Sequence, residues 1–357
     1  MKKFAFPLAA ILVLAACSST QQPDTEAAGK PVQPVSKRPV FDGATDSVAI
    51  TGFNGNGNVQ KFIDHEVQSG QFTRRELENF FGGVEYKGNI ITIMNRPGTS
   101  RPWYEFRQAN AGGSRISSGK QFYAKNKGVI DAVAQSYGVP AEIIVAIVGI
   151  ETNYGTNMGS FRVADSLSTL AFDYPRRAEF FQKELNEFLL MGKAEKRDIF
   201  SFKGSYAGAM GMPQFMPSSF RKYAVDYDGD GFHDIWNNVG DVTASVANYM
   251  KAHGWKTNGK MVVPVSLTIN QELQSIIDEK TALTRTVADF KRMGVVPQEY
   301  VTDDEPALLY RLETSPGVYE YYLGLNNFYA VWQYNHSRMY VTAVRDIANG
   351  VSGNYRL

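Results

Sequence analysis

Cysteine is almost missing from this chain of 357 residues, where Cys17 stands alone. A disulfide framework is thereby excluded. Histidine is nearly as scarce, with four residues in all, and no second His lies at metal-ligand spacing from His336, so a zinc hydrolase finds no support. Charge of one sign is also lacking: 37 Lys and Arg face 36 Asp and Glu, for a formal charge of +1. Such a chain has no basic field with which to hold nucleic acid, and that class is dropped. No apolar run reaches the length of a transmembrane helix. Aromatic rings, by contrast, are abundant, with 22 Phe and 19 Tyr. They serve either as core or as platforms for sugar rings.

The N-terminus gives an address. Lys2 and Lys3 precede an apolar segment from Phe4 to Val13, too short to span a bilayer but suited to the hydrophobic part of a secretory signal. Leu14-Ala15-Ala16-Cys17 follows and resembles a bacterial lipobox. The resemblance implies cleavage before Cys17 and lipidation of that residue. Ser18 follows it rather than Asp, the pattern of lipoproteins sent to the outer membrane, so the expected location is the periplasmic face of the bacterial outer membrane. The alternative is an ordinary signal with a chance cysteine. Loss of Lys2 and Lys3 takes the formal charge from +1 to −1.

Residues 17–47 are rich in Gln, Pro, Ser, Thr and Ala. They cannot bury enough surface to fold and are expected to form a tether. A helical subdomain is expected over 48–136. Within it Phe62 to Phe81 reads as helical, with Thr73 to Glu76 forming a capping box that opens its second half. Trp103 to Asn110 and Lys120 to Tyr137 read as further helices. The densest motifs fall in 137–258, the expected catalytic core. Short strands at Met261 to Val265 and Tyr319 to Leu323, with a helix over Thr286 to Met293, mark a small β-containing insert over 259–325. Residues 326–357 return to an aromatic helical pattern.

Glu151 ends one of the most apolar runs in the sequence, Ile143-Ile144-Val145-Ala146-Ile147-Val148-Gly149-Ile150. A run without a polar face is buried, as an all-round apolar helix or a core strand. Pro140, at a plausible first helical position, favours the helix. Glu151 then sits at the carboxyl end of a buried helix, where desolvation and the helix dipole both favour its protonated form. A general acid requires that form. The same residues also describe a Glu that simply emerges at the surface as the helix ends.

A second block runs from Lys203 through Ala207-Gly208-Ala209-Met210-Gly211-Met212-Pro213-Gln214 to Ser219. Its glycines suggest backbone packed closely against a neighbour, with Gln214 as a polar contact in apolar surroundings. Taken as composition alone, it is a tight turn into a helix.

Together with Glu151-Thr152-Asn153-Tyr154-Gly155, with Tyr174-Pro175-Arg176-Arg177, with Asn248-Tyr249 and with Tyr334-Asn335-His336-Ser337 and Tyr340, this block makes the chain resemble the membrane-bound lytic murein transglycosylase B family. The resemblance runs from about Phe53 to the C-terminus. It implies a mainly α (α+β) fold, with a lysozyme-like catalytic core, an additional helical subdomain and the small β-containing insert. It further implies that Glu151 is the catalytic acid and base, and that Ser205, Gln214, Tyr249, Tyr334, Asn335 and Tyr340 lie around it as substrate-binding residues. Arg176 and Arg177 would face the peptide or the lactyl group of muramic acid. On pattern alone, Tyr249 and Tyr340 also read as core aromatics, Asn335 as a helix cap and Arg177 as a solvated charge. His336 reads as structural.

Asp226, Asp228, Asp230 and Asp234 stand at positions one, three, five and nine of a loop with Gly231 at six, as in the calcium loop of an EF-hand. Phe232, at seven, would offer its carbonyl. The departure is at position twelve, where Asn237 replaces the bidentate Glu. The related family closes a longer loop with a later Asp, and the resemblance gives that place to Asp241. Ca2+ is expected as a structural ion rather than a switch, with no organic cofactor.

The expected activity is cleavage of the MurNAc-GlcNAc bond of peptidoglycan without water, giving 1,6-anhydromuramyl products. Two carboxyl groups usually share glycosidic cleavage, whereas the resemblance supplies one. Asp165 and Asp173 keep a water-using muramidase open as an alternative, and a non-catalytic, calcium-stabilised wall-binding lipoprotein is a further one. The expected partners are glycan strands and, through the lipid, the outer membrane; a monomer is expected.

Overall fold

A computed structural model describes residues 47–96 and 101–353. The signal, Cys17 and the tether lie outside the described residues. The described chain is mainly helical and falls into two compact units, one of 47–96 with 160–208, the other of 101–159 with 209–353. The chain thus enters and leaves each unit twice, so these units follow different limits from the sequence boundaries at 136 and 258.

In the first unit the Thr73 capping box forms as expected. Thr73 Oγ1 accepts the Glu76 N–H at 3.2 Å and Glu76 Oε2 accepts the Thr73 N–H at 2.7 Å, opening the helix Arg74–Gly83. Phe62, Phe81 and Phe172 meet edge to face at 5.5 to 6.1 Å and fill the interior. The helices Val163–Asp173 and Ala178–Glu195 pack together beside a short antiparallel pair, β1 (Phe161–Arg162) and β2 (Lys203–Gly204).

The second unit is built round the apolar run. It forms the helix Ala141–Thr152, in which every residue from Ile143 to Val148 is fully buried. Each of the large aliphatic chains there contributes about 1.5–3 kcal/mol relative to exposure. Pro140 is the residue before the first turn rather than its first member, where its fixed φ still directs the chain into the helix. Four helices pack round this one: Gly113–Lys125, Lys127–Tyr137, Val239–Ala252 and Arg338–Ser352. The expected helix over Lys120 to Tyr137 is in fact two, broken at Asn126, whose side chain bonds the Phe122 carbonyl at 2.8 Å. An Asn that satisfies the preceding turn with its own amide competes with helix continuation.

The insert is a five-stranded antiparallel sheet in the order β4-β6-β7-β3-β5. Its strands are β3 (Val262–Ser266), β4 (Arg285–Thr286), β5 (Val296–Pro297), β6 (Pro306–Ser315) and β7 (Val318–Gly324). Leu309 pairs with Leu323 and Leu323 with Val263 across the three central strands. The helices Gln271–Asp278 and Val287–Arg292 add Leu273, Ile276 and Phe290 to the same core. Thr286 lies outside its helix as the cap, with Asp289 completing the box. The expected C-terminal helical stretch is also two helices, Asn326–Trp332 and Arg338–Ser352, and Ser337 rather than Asn335 caps the second. Among the described residues no single helix is long and apolar enough to cross a membrane.

Candidate active site

The helix Ala141–Thr152 delivers Glu151 to its carboxyl end and then stops abruptly. Asn153 and Tyr154 both adopt the left-handed region, φ 50° and 59°, an uncommon and costly conformation for side chains of that size. Three contacts hold the turn. The Asn153 N–H donates to the Gly149 carbonyl at 2.9 Å, the Gly155 N–H donates to Thr152 Oγ1 at 3.0 Å, and the Thr152 hydroxyl reaches the Met212 carbonyl at 3.0 Å. The Gly-rich block is therefore docked on the end of this helix. Its backbone is as close to its surroundings as the glycines suggested: a Cβ on Gly211 would lie 2.5 Å from the Ile235 carbonyl oxygen.

Around Glu151 the unit supplies hydroxyls and one cation. Tyr340, on the helix Arg338–Ser352, donates its hydroxyl to Glu151 Oε1 at 2.7 Å. Arg115 lies close enough to stabilise the carboxylate form. Desolvation outweighs both and pushes the Glu151 carboxyl up to about 7, so it carries its proton below neutral pH. Tyr249 and Tyr334 share the same environment, and burial, with the nearby Glu151 charge, holds their hydroxyls protonated. Tyr249 donates to the Gln333 carbonyl at 2.7 Å and Tyr334 to the Pro213 carbonyl at 2.5 Å. Their rings meet at 4.7 Å, and Tyr334 stacks on Tyr340 at 6.4 Å. Gln214, itself left-handed at φ 53°, bonds the Gly211 and Met158 carbonyls at 2.9 and 3.2 Å. The Oδ1 of Asn335 is buried and has no hydrogen-bond partner within the described protein.

Among the described residues of this unit, the acid Glu151 faces neutral hydroxyls and the Arg115 cation. The two acidic residues that follow it in sequence are both committed. Asp165, only 1% exposed, accepts from Arg162 Nε and Nη2 at 2.9 and 2.8 Å and from the Glu85 N–H at 2.9 Å. Asp173 accepts the hydroxyls of Tyr86 and Ser47 at 2.6 and 3.1 Å.

In the acidic loop, carboxylate oxygens of Asp226, Asp228 and Asp230 converge within 4.8 Å of one another. Asp226 accepts the N–H groups of Gly229 and Gly231 at 2.8 Å, and Asp230 accepts that of Phe232 at 2.8 Å. Asp234 accepts from Trp236 and Asn237. Asp241 is fully buried, and its two oxygens accept the Tyr227 and Asp234 N–H groups at 2.8 and 2.7 Å. Each donor leaves the oxygens further lone pairs, and three hard, convergent carboxylates suit a cation such as Ca2+.

The family described as Transglycosylase SLT domain matches residues 54–349. This chain belongs to that family. It is 37% identical over 310 residues to membrane-bound lytic murein transglycosylase B of Escherichia coli K12, covering 84% of each chain. The E. coli lytic transglycosylase Slt35 in complex with calcium is 36% identical with a TM-score of 0.75, over 84% of this chain and 95% of that one. SltB3 of Pseudomonas aeruginosa in complex with NAG-anhNAM-pentapeptide is 31% identical with a TM-score of 0.72, over 83% and 79%. The lysozyme-like fold expected from sequence is thus that of this chain.

Within this transglycosylase domain the structure brings Tyr249, Tyr334 and Tyr340 to Glu151, with Gln214 on the block docked beside them. Three other expected site residues belong to the unit of 47–96 with 160–208. Ser205 is half-buried, its Oγ accepting the Ala207 N–H at 3.3 Å. Arg176 is exposed, while the Arg177 guanidinium lies 4.2 Å from the Phe180 ring. His336 packs against Trp332 at 4.2 Å.

Sequence reasoning missed Arg115, Gly119 and the anchoring role of Tyr154. The Tyr154 hydroxyl donates to the Arg115 carbonyl at 3.0 Å. It occupies space that exists because Gly119 and Gly149 have no side chains, since a Cβ on either would lie 2.4 Å from that oxygen. A glycine inside a helix costs about 1 kcal/mol relative to alanine, so each was a signal of a close approach.

Proposed function

We propose that this chain is a lytic transglycosylase that cleaves the MurNAc-GlcNAc bond of peptidoglycan, with Glu151 as its single acid and base. The observation that carries the reading is a lone carboxyl raised to about 7, held by Tyr340 and surrounded by neutral hydroxyls. Protonated Glu151 gives its proton to the glycosidic oxygen, and the bond from that oxygen to C1 of muramic acid breaks. The muramic acetamido group stabilises the positive charge at C1, a substrate-assisted route. The Glu151 carboxylate then removes the proton of the C6 hydroxyl as its oxygen closes on C1. The 1,6-anhydro ring forms, Glu151 is protonated again and no water is consumed. Desolvation serves both halves, because a carboxyl near neutrality gives and takes a proton with comparable ease.

Tyr249, Tyr334, Asn335 and Gln214 bind the sugars on this reading. Asp226, Asp228 and Asp230, with the Phe232 carbonyl and Asp234, hold Ca2+, which stiffens the loop leading into the helix Val239–Ala252. Asp241, from the first turn of that helix, closes the loop as a further ligand. The calcium-bound Slt35 relative and the convergent carboxylates support this assignment. Lipid at Cys17 would place the enzyme, as a monomer, on the periplasmic face of the outer membrane, within a tether's reach of the wall. The membrane-bound relative supports that location. Digestion of purified sacculi by Glu151→Gln tests the catalytic assignment: the account expects no release of soluble muropeptides from a folded protein, and continued release would refute it.

A further inference from the structure

We infer that Arg115 is a positioning residue for the reaction: it ties down the carboxyl end of the catalytic helix and sets the charge environment in which Glu151 releases and recovers its proton. This rests on Glu151 being the acid. The helix Gly113–Lys125 places Arg115 so that it brackets Glu151 in sequence. Its Nη1 donates to the Gly149 carbonyl, two residues before the acid. Its own carbonyl accepts the Tyr154 hydroxyl at 3.0 Å, three residues after it. Tyr154 is fixed in turn by the space over Gly119 and Gly149 and by the Phe122 ring at 5.3 Å. Side chain and backbone of one residue thus clamp both sides of a turn that two left-handed residues strain.

The charge argument is independent of the clamp. The groups facing Glu151 from its own unit are Tyr340, Tyr334, Tyr249 and Arg115. The three tyrosines are neutral in the working range, because burial raises all of them. Arg115 is the cation of this set, and it faces a helix end whose carbonyls carry partial negative charge. Left to burial and that dipole, the carboxyl would hold its proton too firmly to serve the first step at full rate. The guanidinium opposes both, and its charge lowers the proton affinity of Glu151.

The test is the pH dependence of anhydromuropeptide release for wild type, Arg115→Gln, Arg115→Lys and Glu151→Gln, each checked for folding by its melting curve. Loss of the cation should raise the proton affinity of Glu151, so the alkaline limb of Arg115→Gln should move up by about one pH unit. Its kcat below that limb should fall while KM stays near wild type. Arg115→Lys keeps the charge and should keep the limb in place even where the clamp is weakened. An Arg115→Gln limb that coincides with wild type overturns the inference. If Arg115→Gln does not fold, an Arg115→Lys limb displaced from wild type overturns it instead. Release by Glu151→Gln would sink the parent reading; an inactive Glu151→Gln beside an unmoved Arg115→Gln limb would sink this inference alone.

Discussion

Glu151 bears a cost that its own chemistry explains. A carboxyl raised to about 7 in the fold, from an ordinary value near 4.5, binds more protons folded than unfolded between those limits. Stability therefore falls as pH rises through that window and the loss is complete above about pH 7. The full penalty is about 3–4 kcal/mol. Glu151→Gln keeps an oxygen for the Tyr340 hydroxyl and removes the charge, so its Tm should exceed that of wild type at pH 8 and match it near pH 4; equal Tm values at pH 8 would argue against a strained acid. Tyr340→Phe leaves Glu151 Oε1 without its donor, a loss of about 1–3 kcal/mol, and should move the alkaline limb of activity upward, because that hydrogen bond favours the carboxylate. Glu151 was legible in the sequence as the polar end of an apolar run. Its partner Tyr340, 189 residues away, entered only through the family resemblance, and the hydrogen bond itself was not legible, since no local pattern encodes a contact across that distance.

At the scale of elements, the central helix was legible because burial on all sides leaves an unbroken apolar run. The capping box at Thr73 was equally legible, being a local device that two residues complete. The break at Asn126 and the long strand β6 were not. A single Asn between two helical patterns reads as an interior residue, and β6 opens on the continuous buried run Ala307 to Tyr310, which shows no alternation. The packing of Tyr154 over two helices carries its own prediction. Gly149→Ala places a methyl 2.4 Å from the Tyr154 hydroxyl and should destabilise the protein by about 1–3 kcal/mol, read as a lowered urea midpoint. An unchanged midpoint would mean that Tyr154 does not wedge the helices.

For the whole molecule, the proposed calcium and lipid would act on stability and place rather than on the chemical step. Calcium that binds only the folded chain should stabilise it by about 2.7 kcal/mol at 100 times its Kd. Tm should therefore rise with calcium and fall with a chelator, and Asp226→Asn should abolish the response while leaving kcat intact; a calcium-dependent kcat would assign the ion to catalysis. The interleaving of the two units was hidden from the sequence, because compactness is decided by which segments pack and not by their order along the chain. The central claim, one carboxyl and no water, is tested most directly by the mass of the muropeptides released from sacculi. The account predicts 1,6-anhydro products, lighter by one water than their hydrolysed counterparts, whereas products of the hydrolysed mass would contradict it.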